Sequence, residues 1–432
     1  MTAYRRPFGA VSGVTVAVSL AALIALPVPF LRSIGFTGLL IPLVSVVVAL
    51  TLLPALLLTV GHKLEWPHRR SGSAESRLWR RIGGFVVAHR WSSAVVALAI
   101  LVVLAIPAFS MRLADPTNSS LASTGGPAGA AIERVESAGL GDGLTKPVEI
   151  VTDRPGEVVA ALRGDDQVAG LTAPDTWVSG TNHVVDAWTH DDVSTGSGSD
   201  AAAHIRSVAE GLGADVGGLA AQNSDFIDAV YGNVWWVVLL IIVVTFILLA
   251  IALRSIVLPL KALLLNIFSI AAAYGVMVWI WQDGHGTELL FNQQASGAIT
   301  VWIPIAVFAF LFGLSMDYEV FLLSRIREAH DEGASTDDAT VTGVARTGRL
   351  VTSAALILFL AFISLSQVPA TDVKILATGL ALGIILDATL VRGVLAPALV
   401  AALGDVNWWV PTWWPKSKNS SHHDSQSTTP SR

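Results

Sequence analysis

The chain has 432 residues, of which 53% are hydrophobic and only 14% charged, with a mean hydropathy of +0.62. That balance excludes an ordinary soluble enzyme and points to a polytopic membrane protein. There is no cysteine, which excludes a disulfide framework, a thiolate nucleophile and a cysteine-based metal site. The formal net charge of −6 averages two compartments of opposite balance.

In chain order, Arg5 and Arg6 precede an apolar stretch at residues 8–30. It is longer than a signal-peptide core, and no small-residue cleavage site follows, so it reads as a membrane span. A second span covers 34–60, with Pro54 tolerated where neighbouring helices re-satisfy the freed backbone. Residues 62–90 form a polar linker with Lys63, Arg69, Arg70, Arg77, Arg80, Arg81 and Arg90 against Glu65 and Glu75. The positive-inside rule assigns it to the cytoplasm. It reads as a solvated loop and not as a nucleic-acid patch. A third span, 91–111, carries the chain out.

Residues 112–232 are the one large polar stretch, and their charged residues are mostly acidic, including Asp142, Asp165, Asp166, Asp191 and Asp192. Alternation predicts a strand at 147–153 and helical spacing of Val159, Leu162 and Val168 predicts a helix at 156–168. Two strands at 170–179 and 183–192 flank a Gly-Thr-Asn turn. An amphipathic helix at 199–212 and a strand at 214–220 complete a β-α-β-β-α-β order, a ferredoxin-like unit.

Five further spans follow, at 234–253, 258–281, 298–325, 348–365 and 375–403, with a polar external turn at 283–294 and a mixed-charge cytoplasmic segment at 325–347. Trp408, Trp409, Trp413 and Trp414 suit a helix at the interface, and the Ser/Thr/His-rich tail beyond Lys418 reads as disordered. The expected fold is an α-helical polytopic membrane protein of about eight spans with one α+β ferredoxin-like extracytoplasmic domain. Its parts are 1–61, 62–90, 91–111, 112–232, 233–404 and 405–432. Both termini are expected in the cytoplasm, and many of the 14 tryptophans stand at span ends, as interfacial belts do.

The most informative stretch is Gly313-Leu314-Ser315-Met316-Asp317-Tyr318-Glu319-Val320-Phe321-Leu322-Leu323-Ser324-Arg325. It puts acidic residues inside or at the edge of an apolar run, at a cost of roughly 2.5–3.5 kcal/mol each at a helix centre, so a function is the default hypothesis. Asp317 lies roughly 12 Å inside Arg325 along the helix. The whole segment resembles the signature of the MmpL family, mycobacterial-type proteins of the resistance–nodulation–division superfamily. The resemblance implies a plasma-membrane transporter driven by protons, which are its coupling ion in place of any cofactor, moving lipids or other hydrophobic compounds outward. It further implies that Asp317 and Tyr318 carry the proton, with Phe321 pore-lining and Gly313 supporting. The implied partners are the lipid bilayer and a hydrophobic or lipid substrate.

A weak internal repeat accompanies the signature. Leu52-Leu53-Pro54-Ala55-Leu56-Leu57 before Gly61 matches Leu395-Ala396-Pro397-Ala398-Leu399-Val400 before Gly404, and Ser12 and Ser353 stand similarly upstream. The first two spans then read as the end of one half and the rest as a complete second half. On that count the chain corresponds to about the last two-thirds of a full family member, and it holds one Asp-Tyr pair. The first-half pair is expected to be missing through truncation, or to be supplied by a second polypeptide or a homo-oligomer.

Asp387 and Arg392 lie five residues apart in the last span and do not stack as i,i+4 partners on an α-helix. Each is therefore expected to pair with another helix, as an intramembrane ion pair or in proton handling. Ser12 and Ser353 are candidates to hydrogen-bond the proton-carrying carboxylate. Gly139-Leu140-Gly141-Asp142 is similar to the motif of intramembrane aspartyl proteases, but it falls in the polar external segment, so no enzyme is expected. No histidine spacing suggests a metal. Two readings remain: a proton-coupled transporter, or a non-transporting remnant or accessory subunit that binds a partner half.

Overall fold

A computed structural model describes residues 17–64, 75–123, 125–139, 141–232 and 234–410. Among these residues seven helical stretches are long and apolar enough to cross a membrane: Pro29–Val60, Arg90–Ser110, Gly218–Leu253, Val257–Gln282, Ile303–Asp331, Thr336–Leu365 and Thr371–Trp408. Residues 8–16 of the expected first span, Ser12 among them, lie outside the described residues, as do Trp413, Trp414 and the tail. The remainder of that span, 17–30, passes through a 3-10 turn at Ala22–Ala25 and leads into the helix that starts at Pro29.

The second expected span divides into α1 (Pro29–Leu50) and α2 (Leu52–Leu64). The break at Thr51 has a local cause. Pro54 has no N–H to donate, and its ring crowds the carbonyl four residues earlier, at Leu50. The basic linker is not all loop. Residues Arg77–Ala88 form α3, an amphipathic helix burying Gly83, Val86 and Val87. Trp79 lies so close to Gly348 that any larger residue there would overlap its ring.

Next come α4 (Arg90–Ala105) and a polar domain whose first long helix is α5 (Gly126–Ser137). Its sheet contains β1 (Val148–Thr152), β2 (Val168–Thr172), β3 (Val178–Ser179), β4 (Asn182–Thr189) and β5 (Asp215–Gly217). The long strands run in the order β2-β4-β1-β5, and β3 pairs with β4; all pairings are antiparallel. α6 (Pro155–Leu162) and α7 (Gly196–Gly211) cover one face. Val148, Ile150, Val158, Leu162, Val185 and Ile205 form the core there. The element order follows the expectation except that the strand expected at 170–179 divides into β2 and the two-residue β3, and two elements end early. α6 stops before Gly164, which has φ 83°. The last strand stops at Gly217, because Gly218 turns at φ 85° into α8 (Gly218–Tyr231).

α9 (Val234–Leu253) is apolar all round, as a lipid-facing span must be. Trp235 and Trp236 stand exposed at its start. α10 (Val257–Met277), α11 (Ile303–Asp331), α12 (Thr336–Leu365) and α13 (Thr371–Leu386) pack around one core. α10 meets α4 at Gly275, where a Cβ would collide with the Leu104 carbonyl. The turn between α11 and α12 uses Gly333 at φ 98°. Ser335 then caps α12, its hydroxyl accepting from the Asp338 N–H at 3.1 Å. Beyond α13, residues Asp387–Leu395 are π-helical, and α14 (Ala396–Leu403) closes the bundle.

Where the polar domain leaves the bundle, the chain is stitched down. The Gln282 side chain accepts from the Arg112 N–H at 2.8 Å and donates to the Ser110 carbonyl at 2.9 Å. Inside the domain, Asp192 is not a surface charge. It pairs with Lys146 Nζ at 2.8 Å and accepts from the N–H groups of Asn118 and Ser194. Lys146 also donates to the Pro116 carbonyl and Ser194 Oγ. Both charges are thus fully partnered, which is what makes their burial tolerable.

Candidate functional site

The signature residues sit in mid-α11. Gly313, Ser315, Met316, Glu319 and Val320 are buried, and Asp317, Tyr318 and Phe321 are half-buried. α11 is the most enclosed of the spans, because its neighbours surround it and share its apolar core. A helix so placed turns its few polar side chains toward protein.

The centre of the site is an ion pair that the sequence spacing had argued against. Arg392 Nη2 lies 2.6 Å from Asp387 Oδ2, with side chains 3% and 10% exposed. The two residues bond one another directly as well as reaching a neighbouring helix. In the π-helical segment backbone bonds run i→i+5, which brings residues five apart over one another. An α-helical reading of the same residues misplaces them.

Ser315 of α11 joins the pair. Its hydroxyl donates to Asp387 Oδ1 at 3.0 Å. Arg392 Nη2 donates to the Ser315 carbonyl and approaches its hydroxyl at 3.0 Å. The Arg392 guanidinium also lies over the Tyr318 ring, 5.0 Å from its centroid, a cation–π arrangement. Tyr318 is within electrostatic reach of Arg392, Asp317 and Asp387. One cluster therefore links Tyr318 of the Asp-Tyr pair to the last span. Nε and Nη1 of Arg392 have no hydrogen-bond acceptor among the described residues.

The other expected residues fall differently. Ser353 is exposed and its hydroxyl donates to the Arg349 carbonyl at 2.8 Å. It does not support the carboxylate, because its helix turns it away and a backbone acceptor one turn back satisfies it; Ser315 takes that role at Asp387. Phe321 packs under Arg325, whose guanidinium is 5.6 Å from the ring centroid. Trp408 does not lie free at an interface. It stacks on His330 with centroids 4.1 Å apart and donates to Thr336 Oγ1 at 3.0 Å. Trp281 is fully buried, its indole N–H donating to Thr378 Oγ1 at 2.7 Å.

Three further residues gain a candidate role: Ser315 and Lys261, to which the sequence reading gave none, and Glu319, which it noted only as a carboxylate in the apolar run. Ser315 lies within the signature itself. Glu319 is 2% exposed and feels the charges of Arg392, Asp387 and Lys261. Lys261 of α10 donates to Asn407 Oδ1 at 2.5 Å. Their signal was a polar residue in an apolar run, visible but without a face to assign it to. Among the described residues, no group of three or more acidic or histidine side chains could hold a metal.

The family model described as MMPL matches residues 1–105 and 143–427. The chain is 34% identical to the mycolic acid-containing lipids exporter MmpL11 of Mycolicibacterium smegmatis, over 94% of this chain and 45% of that protein. It is 33% identical to the heme uptake protein MmpL11 of Mycobacterium tuberculosis, over 93% of this chain and 44% of that protein. A 204-residue stretch is 40% identical to the trehalose monomycolate exporter MmpL3 of Mycolicibacterium smegmatis, covering 47% of this chain and 20% of that protein. The chain spans about half the length of these MmpL11 relatives, less than the two-thirds that counting spans had suggested.

Proposed function

Because the chain belongs to the MMPL family, we propose that it is part of a proton-driven transporter of the resistance–nodulation–division type, exporting lipids or other hydrophobic compounds across the plasma membrane. The observation that carries this reading is the cluster Asp387–Arg392–Ser315–Tyr318 beside Asp317, which joins the most enclosed helix of a multi-pass membrane protein to its last span. Asp317 takes up a proton and releases it. Tyr318, lying between Asp317 and the Arg392 guanidinium, passes the change in charge to the last span. The pair Asp387–Arg392 then tightens or loosens against Ser315, shifting α11 against the π-helical segment.

The relatives' names give mycolic acid-containing lipids, heme and trehalose monomycolate. Their common chemistry is a large, poorly soluble, partly apolar cargo, and the class proposed here is the same. The polar domain, a ferredoxin-like porter unit in this reading, faces outward, and both termini face the cytoplasm.

The test is export of fluorescent or radiolabelled cell-envelope lipid from cells carrying the chain in its native background, with and without an uncoupler. Export should stop with the uncoupler and with Asp317→Asn at unchanged membrane abundance. Export indifferent to both would remove the proton from the account. Complete absence of export at normal abundance would favour the accessory-subunit reading.

A further inference from the structure

Helix α10 carries two polar residues three positions apart, Asn266 and Ser269, within an apolar stretch. They are 1% and 2% exposed. Both line a cavity of about 10 Å³ whose other walls include Ser315, Tyr318 and Asp387. That is close to the smallest space that holds one water, on the order of 10–15 Å³, and a water held there needs two to four polar partners. The walls supply them.

The Asn266 amide gives the decisive observation. Neither its Oδ1 nor its Nδ2 has a hydrogen-bond partner among the described residues. A buried amide left bare is costly, and such groups in folded proteins are nearly always satisfied by protein or by ordered water. The amide brings two donors and an acceptor. Asp387 presents a carboxylate with acceptor capacity beyond the bonds from Arg392 and Ser315.

We propose that Asn266 and Ser269 bind one water molecule in this cavity, and that this water hydrogen-bonds Asp387. Asn266 is then a positioning residue: it holds the water that joins Asp387 to the Tyr318 side of the site and so sets how the Asp387–Arg392 pair responds to a charge change there. The consequence for transport rests on the proton-relay reading above; the water site itself does not.

The experiment is a structure of the chain in lipid nanodiscs at a resolution that shows ordered water, for wild type and Asn266→Leu, with lipid export measured for both and for Asn266→Ser. A peak within hydrogen-bond distance of Asn266 and Asp387 is expected in wild type and lost in the Leu variant. Export by Asn266→Leu should fall on the order of tenfold, the effect of one hydrogen bond to a charged group. It should also become more sensitive to external pH. Asn266→Ser, which keeps a hydroxyl and leaves room for water, should retain most of the export. No peak in wild type overturns the site, whatever transport does. A peak with Asn266→Leu exporting at the wild-type rate and pH profile overturns the positioning role. If Asn266→Leu fails to fold, the wild-type peak and the Ser variant decide. If wild type exports without any proton dependence, the relay reading falls while the density still decides the water site.

Discussion

A charge pair as enclosed as Asp387–Arg392 is held by its surroundings more than by its own attraction. Removing two ions from water costs several kcal/mol each, and good geometry with extra hydrogen bonds repays it. Ser315 supplies those bonds from a second helix. Asp387→Asn should therefore strand the Arg392 charge and cost roughly 3–5 kcal/mol, measured by thermal or denaturant unfolding in nanodiscs. The double change Asp387→Leu with Arg392→Met should recover most of that loss while leaving export dead. Equal stability of Asp387→Asn and wild type would mean the pair braces nothing. A second residue-scale prediction concerns Asp115, outside the spans, where burial raises the carboxyl above its usual range despite a bond from Asn223. A raised carboxylate pKa in the folded state means that ionised Asp115 opposes folding at neutral pH, and that this penalty fades as pH falls through the folded value. Asp115→Asn should raise the melting temperature at pH 7, and the advantage should shrink on acidification. An advantage that grows with acid would reverse the assignment.

At the scale of elements, two of the seams in the bundle depend on a missing side chain. Gly275 lets α10 press against the Leu104 carbonyl of α4, and Gly348 lets α12 accept Trp79 from α3. Gly275→Leu should force these helices apart and cost on the order of 1–3 kcal/mol or more, since backbone cannot yield as a side chain does. Gly84, with nothing near its Cβ position, should accept alanine without loss of stability in the same unfolding assay. These seams also mark what a sequence can reveal. The spans were legible because hydropathy and length alone decide them. The β-α-β-β-α-β order was legible from alternating and helical periodicity. Asp317 and Tyr318 stood out because charge in lipid is rare. The Asp387–Arg392 bond was not, because it depends on a local change from α to π winding that no residue type announces. Ser353 misled for a related reason. A serine in an apolar run looks the same whether it faces a carboxylate or bonds its own backbone, and only packing separates the two.

At the scale of the whole molecule, the polar domain and the α11–α12 turn must lie on opposite sides if the charge asymmetry of the chain is read correctly. Ser197→Cys, exposed at the start of α7, should react with an impermeant thiol reagent on intact cells. Glu332→Cys, exposed in the turn, should react only after the membrane is opened. The reverse pattern would invert the topology and with it the direction of transport. The absence of native cysteine makes both readings clean. The claim on which the account turns is that a proton moves through Asp317. It is tested most directly in proteoliposomes containing the chain with any partner that co-purifies, loaded with a pH-sensitive dye and given an imposed proton gradient. Adding hydrophobic cargo should speed dissipation of the gradient in wild type, and Asp317→Asn should show only the leak of protein-free vesicles at equal reconstitution. Cargo-stimulated proton flux that survives Asp317→Asn would contradict the account.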